Sequence, residues 1–274
     1  MNAKVSVIQM VSAADLSENL SRAGALLEIA AGQGAVLAAL PENFAFTGAR
    51  ERDKLPHAEQ TGGGPIQDFL AATASRLGLW IVAGSVPMAV PDEPNKVYAA
   101  CLVYQADGAL AARYDKIHLF DVAVERNGKL EHYRESSSIA HGAPSPAVVQ
   151  TPAGRLGLSI CYDLRFPELY RALSEQGAEL LCVPSAFTAK TGEAHWSTLL
   201  RARAVENLCY VLAPNQGGVH PGGRQTWGHS MIVSPWGQCL AEADGGEAVV
   251  NAEIDLNGLQ SQRQRFPALD HRRL

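Results

Sequence analysis

The sequence has little of what would indicate a disulfide-stapled, metal-binding or membrane-spanning protein. Its 274 residues include five cysteines, an odd number with no close pairs and no Cys-X-X-Cys motif. We therefore expect neither a disulfide framework nor a zinc site, and a reducing compartment fits best. The longest apolar stretches are far shorter than a membrane span, and the first residues lack the apolar core of a signal peptide. We expect a cytoplasmic protein that binds no membrane and no metal.

Charge is also sparse, and it shows no basic excess. Charged residues make up 19% of the chain and the formal net charge is −5, which argues against a nucleic-acid-binding protein. A basic cluster from Arg263 to Arg273 is the local exception, and we expect a solvated or subunit-contact segment there. With no long Pro-, Gly- or Ser-rich linker and no repeat, the sequence predicts one domain over residues 1–274, ending in a tail segment from about residue 256.

Apolar segments with strand and helix patterns alternate along the chain, which predicts an α/β fold with a mixed sheet. Ala106-Asp107-Gly108 is a strong hairpin signal between two strands. The polar stretch from His118 to Pro146 is predicted to be a long irregular loop. The predicted strands cover residues 5–9, 35–40, 79–85, 96–104, 110–117, 155–161, 179–183, 208–213, 231–234, 239–243 and 249–254. The predicted helices cover residues 16–31, 65–77, 167–176 and 193–207.

Three chemically versatile side chains end or follow apolar strands: Glu42, Lys116 and Cys161. Ligands of open α/β sheets gather at the C-terminal ends of strands, so a thiol in that position can meet a substrate. Each residue alone has another interpretation. Cys161 could be a buried core thiol, Glu42 a helix-capping or surface acid, and Lys116 a solvated strand lysine.

The local sequence also predicts how these groups ionise. Glu42 follows an apolar strand, and poor solvation there should raise its pKa, which suits a general base near neutral pH. Lys116 has apolar or aromatic neighbours at alternate positions, so we expect it to point inward and to need a carboxylate or thiolate partner. Its positive charge would lower the pKa of a nearby thiol.

Taken together, these positions resemble the nitrilase superfamily of carbon–nitrogen hydrolases, which uses a Glu–Lys–Cys triad. A second glutamate of that family matches Glu135. The resemblance implies a four-layer αββα sandwich, a homodimer and no cofactor. It rests on motifs that agree in order along the chain: Leu40-Pro41-Glu42-Asn43-Phe44, Tyr114-Asp115-Lys116-Ile117-His118, His132-Tyr133-Arg134-Glu135-Ser136-Ser137 and Cys161-Tyr162-Asp163-Leu164-Arg165-Phe166-Pro167-Glu168.

The resemblance also implies a mechanism, in which a small amide is hydrolysed through a thioester on Cys161. Glu42 would move the proton, Lys116 and the backbone N–H of Tyr162 would hold the oxyanion, and Glu135 would position Lys116 or the substrate. Residues 215–231 and 266–273 resemble the branch that acts on deaminated glutathione, a peptide bearing a terminal α-ketoglutaramate. Three alternatives remain: an ω-amidase acting on α-ketoglutaramate itself, an aliphatic nitrilase, and a catalytically silent binding protein.

An acidic substrate would need cationic receptors and a shaped pocket. Predicted substrate-binding residues are Tyr162, Arg165, Phe187, His195 and Trp196. Core packing is the other interpretation of the aromatic residues among them. Arg201, Arg203 and His220 are further candidates, but salt bridges to acids such as Glu206 or Glu168 are favoured for the two arginines. The cysteines other than Cys161 are expected to be core residues.

Overall fold

The computed structural model describes residues 2–126 and 129–273. The helices are α1 (Leu16–Gly32), α2 (Pro65–Leu77), α3 (Pro167–Glu175), α4 (Ala189–Asn207) and α5 (Leu256–Arg265). The strands are β1 (Asn2–Gln9), β2 (Leu37–Ala39), β3 (Trp80–Val82), β4 (Val86–Ala89), β5 (Val97–Tyr104), β6 (Leu110–Asp115), β7 (Asp121–Arg126), β8 (Lys129–Arg134), β9 (Val148–Thr151), β10 (Gly154–Leu158), β11 (Leu180–Cys182), β12 (Tyr210–Ala213), β13 (Gly217–Val219), β14 (Gln225–Trp227), β15 (Met231–Val233), β16 (Cys239–Glu242) and β17 (Ala248–Asp255).

Most of the strands belong to two mixed sheets. The first has the order β17-β1-β2-β3-β5-β4, with β6 also paired to β5, and the second has the order β16-β15-β12-β11-β10-β9. Strands β1, β2 and β3 run parallel at the centre of the first sheet, as do β10, β11 and β12 in the second. Antiparallel strands flank both parallel centres, so the predicted mixed-sheet α/β fold is confirmed.

The strand period of two distributes side chains between two cores. In β1, Val5 and Val7 join a cluster that also contains Leu158 of the second sheet, whereas Ile8 joins the cluster that contains Leu27 of α1. Helices α1 and α2 pack on the first sheet, and α3 and α4 pack on the second. The layers therefore run helix, sheet, sheet, helix, which confirms the predicted αββα sandwich.

Local chemistry explains why the helices begin and end where they do. The side chain of Asp15 caps α1 by accepting a hydrogen bond from the backbone N–H of Glu18 at 2.9 Å. Helix α2 begins with Pro65, whose missing N–H costs nothing in the first turn, and ends at Gly78 with a left-handed φ of 60°. Both helices lie within about one residue of their predicted bounds.

Some predictions about the chain were wrong. Residues 118–146 do not form only an irregular loop, because β7 and β8 pair as an antiparallel hairpin within them. Charged residues at both ends of these strands hide the strand period. Helix α4 begins at Ala189 rather than at Glu193, and no prediction was made for β4, β9, the β13–β14 hairpin or α5. No helix in the described ranges is long and apolar enough to cross a bilayer.

Candidate active site

The ends of strands from both sheets bring the three predicted catalytic side chains to one cavity. Lys116 directly follows β6 and Glu42 lies just beyond β2 in the first sheet, while Cys161 lies just beyond β10 in the second. All three line the same cavity, together with Glu135. The structure therefore brings these four residues together in one place.

Lys116 is the centre of an ion-pair network. Its side chain is almost wholly buried, and its Nζ donates to Glu42 Oε1 at 2.8 Å and to Glu135 Oε1 and Oε2 at 2.8 and 3.0 Å. Glu135 is held in turn by the backbone N–H of Phe120, 2.6 Å from Oε2. The ammonium thus has the carboxylate partners that burial requires. The carboxylates of Glu42 and Glu135 therefore hold the ammonium between them.

Glu42 contacts both sheets. Its Oε1 accepts from Lys116, and its Oε2 accepts from the backbone N–H of Ala186, beyond β11, at 2.9 Å. Burial alone would raise the pKa of Glu42. The charge and hydrogen bond of Lys116, with a hydrogen bond from Cys161, outweigh burial and lower that pKa from its ordinary value of 4.5. The prediction of a raised pKa was wrong, because the sequence shows the burial but not the facing cation.

The same network sets the charge of Lys116. Burial disfavours its ammonium, but Glu135 and Glu42 more than compensate and raise its pKa well above the ordinary lysine value. Lys116 is therefore a permanent cation in the resting site. A cation of this kind can stabilise negative charge that develops on a bound carbonyl oxygen.

The backbone at Cys161 is strained. Its φ is +46°, in the left-handed region that side chains with a Cβ seldom adopt, and such residues cluster at active sites. The N–H of Cys161 donates to the carbonyl of Pro184 at 2.9 Å, which ties β10 to the end of β11. Cys161 also begins a short 3₁₀ helix, Cys161–Arg165. The N–H of Tyr162 therefore lies in a first helical turn, where N–H groups lack intrahelical acceptors.

The pKa of the Cys161 thiol is raised above its ordinary value. Burial is the main cause that raises its pKa, and the negative charge of Glu42 raises it further. Lys116 and the N–H of Ala186 act in the opposite direction but do not prevail. The predicted lowering of the thiol pKa by Lys116 is present, but burial and Glu42 outweigh it. Glu42, whose pKa lies below its ordinary value and which lines the same cavity as the thiol, is placed to take the proton during attack.

Asp163 ties the nucleophile segment to the lysine segment, and the sequence analysis missed it. Its buried carboxylate accepts from Tyr114 Oη at 2.7 Å, from the N–H of Ile160 at 2.9 Å and from the N–H of His118 at 3.1 Å. His118 Nδ1 lies 2.7 Å from the same carboxylate. One side chain thus joins the residues on both sides of Lys116 to the residue before Cys161. The only sequence signal was an acid two residues after the cysteine.

The predicted substrate-binding residues divide into two groups. Tyr162 and Phe187 line the cavity, whereas Arg165, His195 and Trp196 are not among its lining residues. Trp196 is buried, with its Nε1 donating to the carbonyl of His229 at 2.7 Å. Arg165 Nη2 lies 3.2 Å from His195 Nδ1, and its guanidinium stands 5.8 and 5.7 Å from the ring centres of Tyr162 and Phe187. Arg165 therefore packs against two aromatic rings that line the cavity.

The other candidate cations have structural contacts. Arg203 pairs with Glu206 at 2.8 Å, as predicted, but Arg201 donates to the carbonyl of Gly237 rather than to an acid. His220 is buried, with its two ring nitrogens near the carbonyl of Ser12 and the hydroxyl of Thr226. Among the remaining cysteines, only the expectation for Cys239 was wrong: it is exposed, whereas Cys101, Cys182 and Cys209 are buried.

Arg224 and Lys54 are the cavity cations that the sequence analysis did not select. Arg224 Nη2 donates to the carbonyl of Ala186 at 3.2 Å, and its Nη1 lies 3.5 Å from Glu51 Oε1. Its Nε is buried and has no hydrogen-bond partner among the described residues. Lys54 pairs with Glu51 at 3.3 Å. Both cations lie in the wall of the cavity, where they can receive a negatively charged ligand.

The described residues contain no cluster of His, Cys, Asp and Glu able to hold a metal ion. Thiol, carboxylate and ammonium groups are instead gathered in one enclosed space. This arrangement suits nucleophilic attack on a carbonyl with general acid–base assistance.

The chain belongs to the carbon-nitrogen hydrolase family, which matches residues 4–264. It is 47% identical over 266 residues to the deaminated glutathione amidase of Synechocystis sp., covering 97% of this chain and 96% of that protein. The structure of Saccharomyces cerevisiae Nit3, a member of branch 10 of the nitrilase superfamily, superposes with a TM-score of 0.86 and 31% identity, covering 100% of this chain and 97% of the yeast protein. The predicted resemblance to this superfamily is therefore confirmed.

A third relative shows chemistry at the equivalent kind of site. It is a glutamine-for-glutamate variant of the amidase from Nesterenkonia sp. AN1, and its structure shows the result of Michael addition of acrylamide at the active-site cysteine. This chain is 27% identical to that amidase with a TM-score of 0.78, covering 97% of this chain and 98% of the amidase.

Proposed function

We propose that this protein hydrolyses the amide bond of deaminated glutathione, with Cys161 as nucleophile, Glu42 as proton carrier, Lys116 as oxyanion partner and Glu135 as the residue that positions Lys116. The observation that carries the proposal is the buried Glu42 carboxylate, which accepts from Lys116 Nζ at 2.8 Å and lines the same cavity as Cys161. The relative from Synechocystis sp., named a deaminated glutathione amidase, supports the choice of substrate.

Acylation begins with attack of Cys161 Sγ on the amide carbonyl carbon while the thiol proton passes to Glu42. The carbonyl oxygen becomes an oxyanion, which Lys116 Nζ and the N–H of Tyr162 stabilise. Each such donor is worth about 2.7–4 kcal/mol in other enzymes. Glu42 then gives its proton to the leaving nitrogen, the C–N bond breaks, and the amine departs from a thioester on Cys161.

Deacylation reuses the same groups. Water gives a proton to Glu42 as its oxygen attacks the thioester carbonyl, and the same donors hold the second oxyanion. The C–S bond then breaks, Glu42 returns the proton to the sulfur, and the carboxylic acid leaves. Glu135 takes no proton in this scheme, because its two oxygens are occupied by Lys116 and by the N–H of Phe120.

The cations that line the cavity can bind a substrate whose acyl group carries a carboxylate. Deaminated glutathione carries an α-keto carboxylate on the acyl side of the scissile bond. Arg224 has a buried Nε without a partner among the described residues, and such a donor normally has an acceptor when its site is filled. Lys54 lines the same cavity. We assign the keto carboxylate to Arg224, with Lys54 as the second positive charge.

The decisive experiment compares kcat/KM for deaminated glutathione, α-ketoglutaramate and a panel of aliphatic nitriles. The proposal expects deaminated glutathione to have the highest value. A preference for α-ketoglutaramate would make the protein an ω-amidase, and strong nitrile turnover with silent amides would make it a nitrilase. Cys161→Ala should abolish hydrolysis. The matched control Cys239→Ala, which replaces an exposed cysteine, should retain it. Full activity in Cys161→Ala would refute the mechanism.

We propose further that the protein is a single-domain, cytoplasmic homodimer. Support for the dimer comes from an exposed apolar surface that includes Val205, Trp236 and Phe266. The rings of Trp236 and Phe266 contact each other edge to face, with centroids 5.7 Å apart. Light scattering coupled to size exclusion would test the dimer. A monomer at every protein concentration would refute it.

A further inference from the structure

A second cavity adjoins the catalytic one on the side of Arg224. It has a volume of about 270 Å³, against about 30 Å³ for the catalytic cavity. Four residues line both: Asn43, Glu51, Lys54 and Arg224. A single ligand can therefore extend from Cys161 past these residues into the second cavity, which is called the outer cavity below. The narrow inner cavity suits a slender acyl chain, and the outer one has room for a larger group.

The outer cavity is strongly basic. Four cationic side chains line it (Arg50, Lys54, Arg134 and Arg224), and Glu51 is its one lining carboxylate. Glu51 is already engaged with Lys54 at 3.3 Å and lies 3.5 Å from Arg224. The excess positive charge lies beyond the shared wall, on Arg50 and Arg134, which line the outer cavity but not the inner one.

The two outer arginines retain donors for a ligand. Arg50 pairs through Nε with Asp53 at 3.1 Å, and its side chain is 85% exposed, so the far edge of its guanidinium faces solvent. Arg134 lies on β8 and is exposed, and its side chain has no ion pair among the described contacts. A guanidinium has five N–H donors, and planar carboxylates suit it because they accept two at once.

The chemistry of the substrate supplies the matching group. In an amide of α-ketoglutarate, the acyl half and the amine half are joined at the scissile bond. The narrow catalytic cavity takes the acyl half, so a large amine half must extend past the shared residues into the adjoining space. In deaminated glutathione that half is the dipeptide cysteinylglycine, which ends in a carboxylate. In α-ketoglutaramate it is only ammonia, which would leave the outer cavity empty.

We infer that the outer cavity is the binding site for the leaving half of the substrate, an amine that ends in a carboxylate, with Arg50 and Arg134 as the receptors of that carboxylate. The inference rests on the proposed function. It adds a determinant of specificity that lies outside the catalytic residues. Amides with a short, neutral amine half gain nothing from this site, so the site favours peptide-like amides over primary amides.

The test uses the double variant Arg50→Gln/Arg134→Gln and three substrates: deaminated glutathione, its glycinamide analogue and α-ketoglutaramate. We expect the ratio of kcat/KM for deaminated glutathione to that for α-ketoglutaramate to fall about ten-fold in the double variant, since exposed charge contacts contribute up to about five-fold each. The wild type should prefer the free acid over the glycinamide, and the double variant should lose that preference.

Arg52→Gln is the matched control, because Arg52 is an exposed arginine of the same segment that lines neither of the two cavities. It should keep both ratios. An unchanged ratio in the double variant, or an equal fall in Arg52→Gln, would overturn the leaving-group site while leaving the proposed function intact. A wild type that hydrolyses no keto amide would overturn the proposed function and the inference with it.

Discussion

Replacing Glu42 with glutamine is expected to change amide hydrolysis and thiol alkylation in opposite directions. In the resting site, burial and then the Glu42 carboxylate raise the pKa of the Cys161 thiol, while Lys116 lowers it. Glutamine keeps the size of the side chain but removes its charge. Lys116 remains a cation, because Glu135 still accepts two of its hydrogen bonds. The thiol should therefore ionise more readily in the variant.

The size of the effect follows from Coulomb's law for two groups that line one cavity. A unit charge about 4 Å away contributes about 4 kcal/mol at the effective dielectric constant of about 20 that suits protein sites. Removing it raises the thiolate population by about three orders of magnitude, since each 1.4 kcal/mol is a factor of about ten. A more acidic thiolate is less nucleophilic, which offsets about half of this gain on a logarithmic scale. We expect alkylation of Cys161 to become about 30-fold faster.

Hydrolysis should fall instead, because the variant has no group to carry the proton to the leaving amine. Loss of general acid–base catalysis lowers kcat by about 10²–10⁴-fold. The assay follows iodoacetamide labelling of Cys161 at pH 7 by mass spectrometry, with exposed Cys239 as the internal reference, and amide hydrolysis in parallel. If labelling and hydrolysis both fell, Glu42 would be generating the thiolate at rest, and the electrostatic reasoning would be refuted.

Three further predictions concern the framework of the site. Burial would raise the pKa of Glu42, but Lys116 lowers it below 4.5, so Glu42 loses its charge only as the pH falls through that lower value. The acid limb of kcat/KM should therefore lie below pH 4.5. An acid limb above pH 4.5 would contradict the lowered pKa of Glu42. Gly84 has a φ of +52°, and a Cβ there would collide with the carbonyl oxygen of Pro41, next to Glu42. Gly84→Ala should therefore lower kcat and cost about 1–3 kcal/mol of stability in urea unfolding, whereas unchanged values would refute the clash. Asp163→Asn should lower the free energy of unfolding by about 2 kcal/mol, because an amide nitrogen cannot accept from Tyr114 or Ile160. An unchanged free energy of unfolding would show that the hydrogen bonds of Asp163 contribute little to stability.

Much of the active site could be predicted from strand ends. Glu42, Lys116 and Cys161 each follow a short apolar strand, and parallel strands place their C-terminal ends at one edge of a sheet. Inward orientation of Lys116 was predictable as well, because its neighbours alternate. The strand pattern does not indicate which side chains face one another across the two sheets. The lowered pKa of Glu42 was therefore missed, since it depends on the facing charge of Lys116.

Residues outside the strand ends were harder to predict. Arg224 lies in the Gly-rich segment between β13 and β14, and no period or motif indicates that its side chain enters the cavity. The β7–β8 hairpin was missed because its strands carry charge at their ends and β8 also contains Glu131 and His132, a pattern that also fits a polar loop. Trp196 was predicted to bind substrate, with core packing as the alternative, and helix α4 buries it in the core.

The bond from the N–H of Ala186 to Glu42 has a consequence for how the enzyme is assembled. Its proton acceptor comes from the first sheet, and the nucleophile and this N–H come from the second. Neither half of the sandwich contains a working site, so turnover appears only after the two sheets have closed on each other. Recovery of turnover during refolding would therefore report the last tertiary step, and a chain with both sheets formed but not yet docked would be folded in its parts and inert as a catalyst.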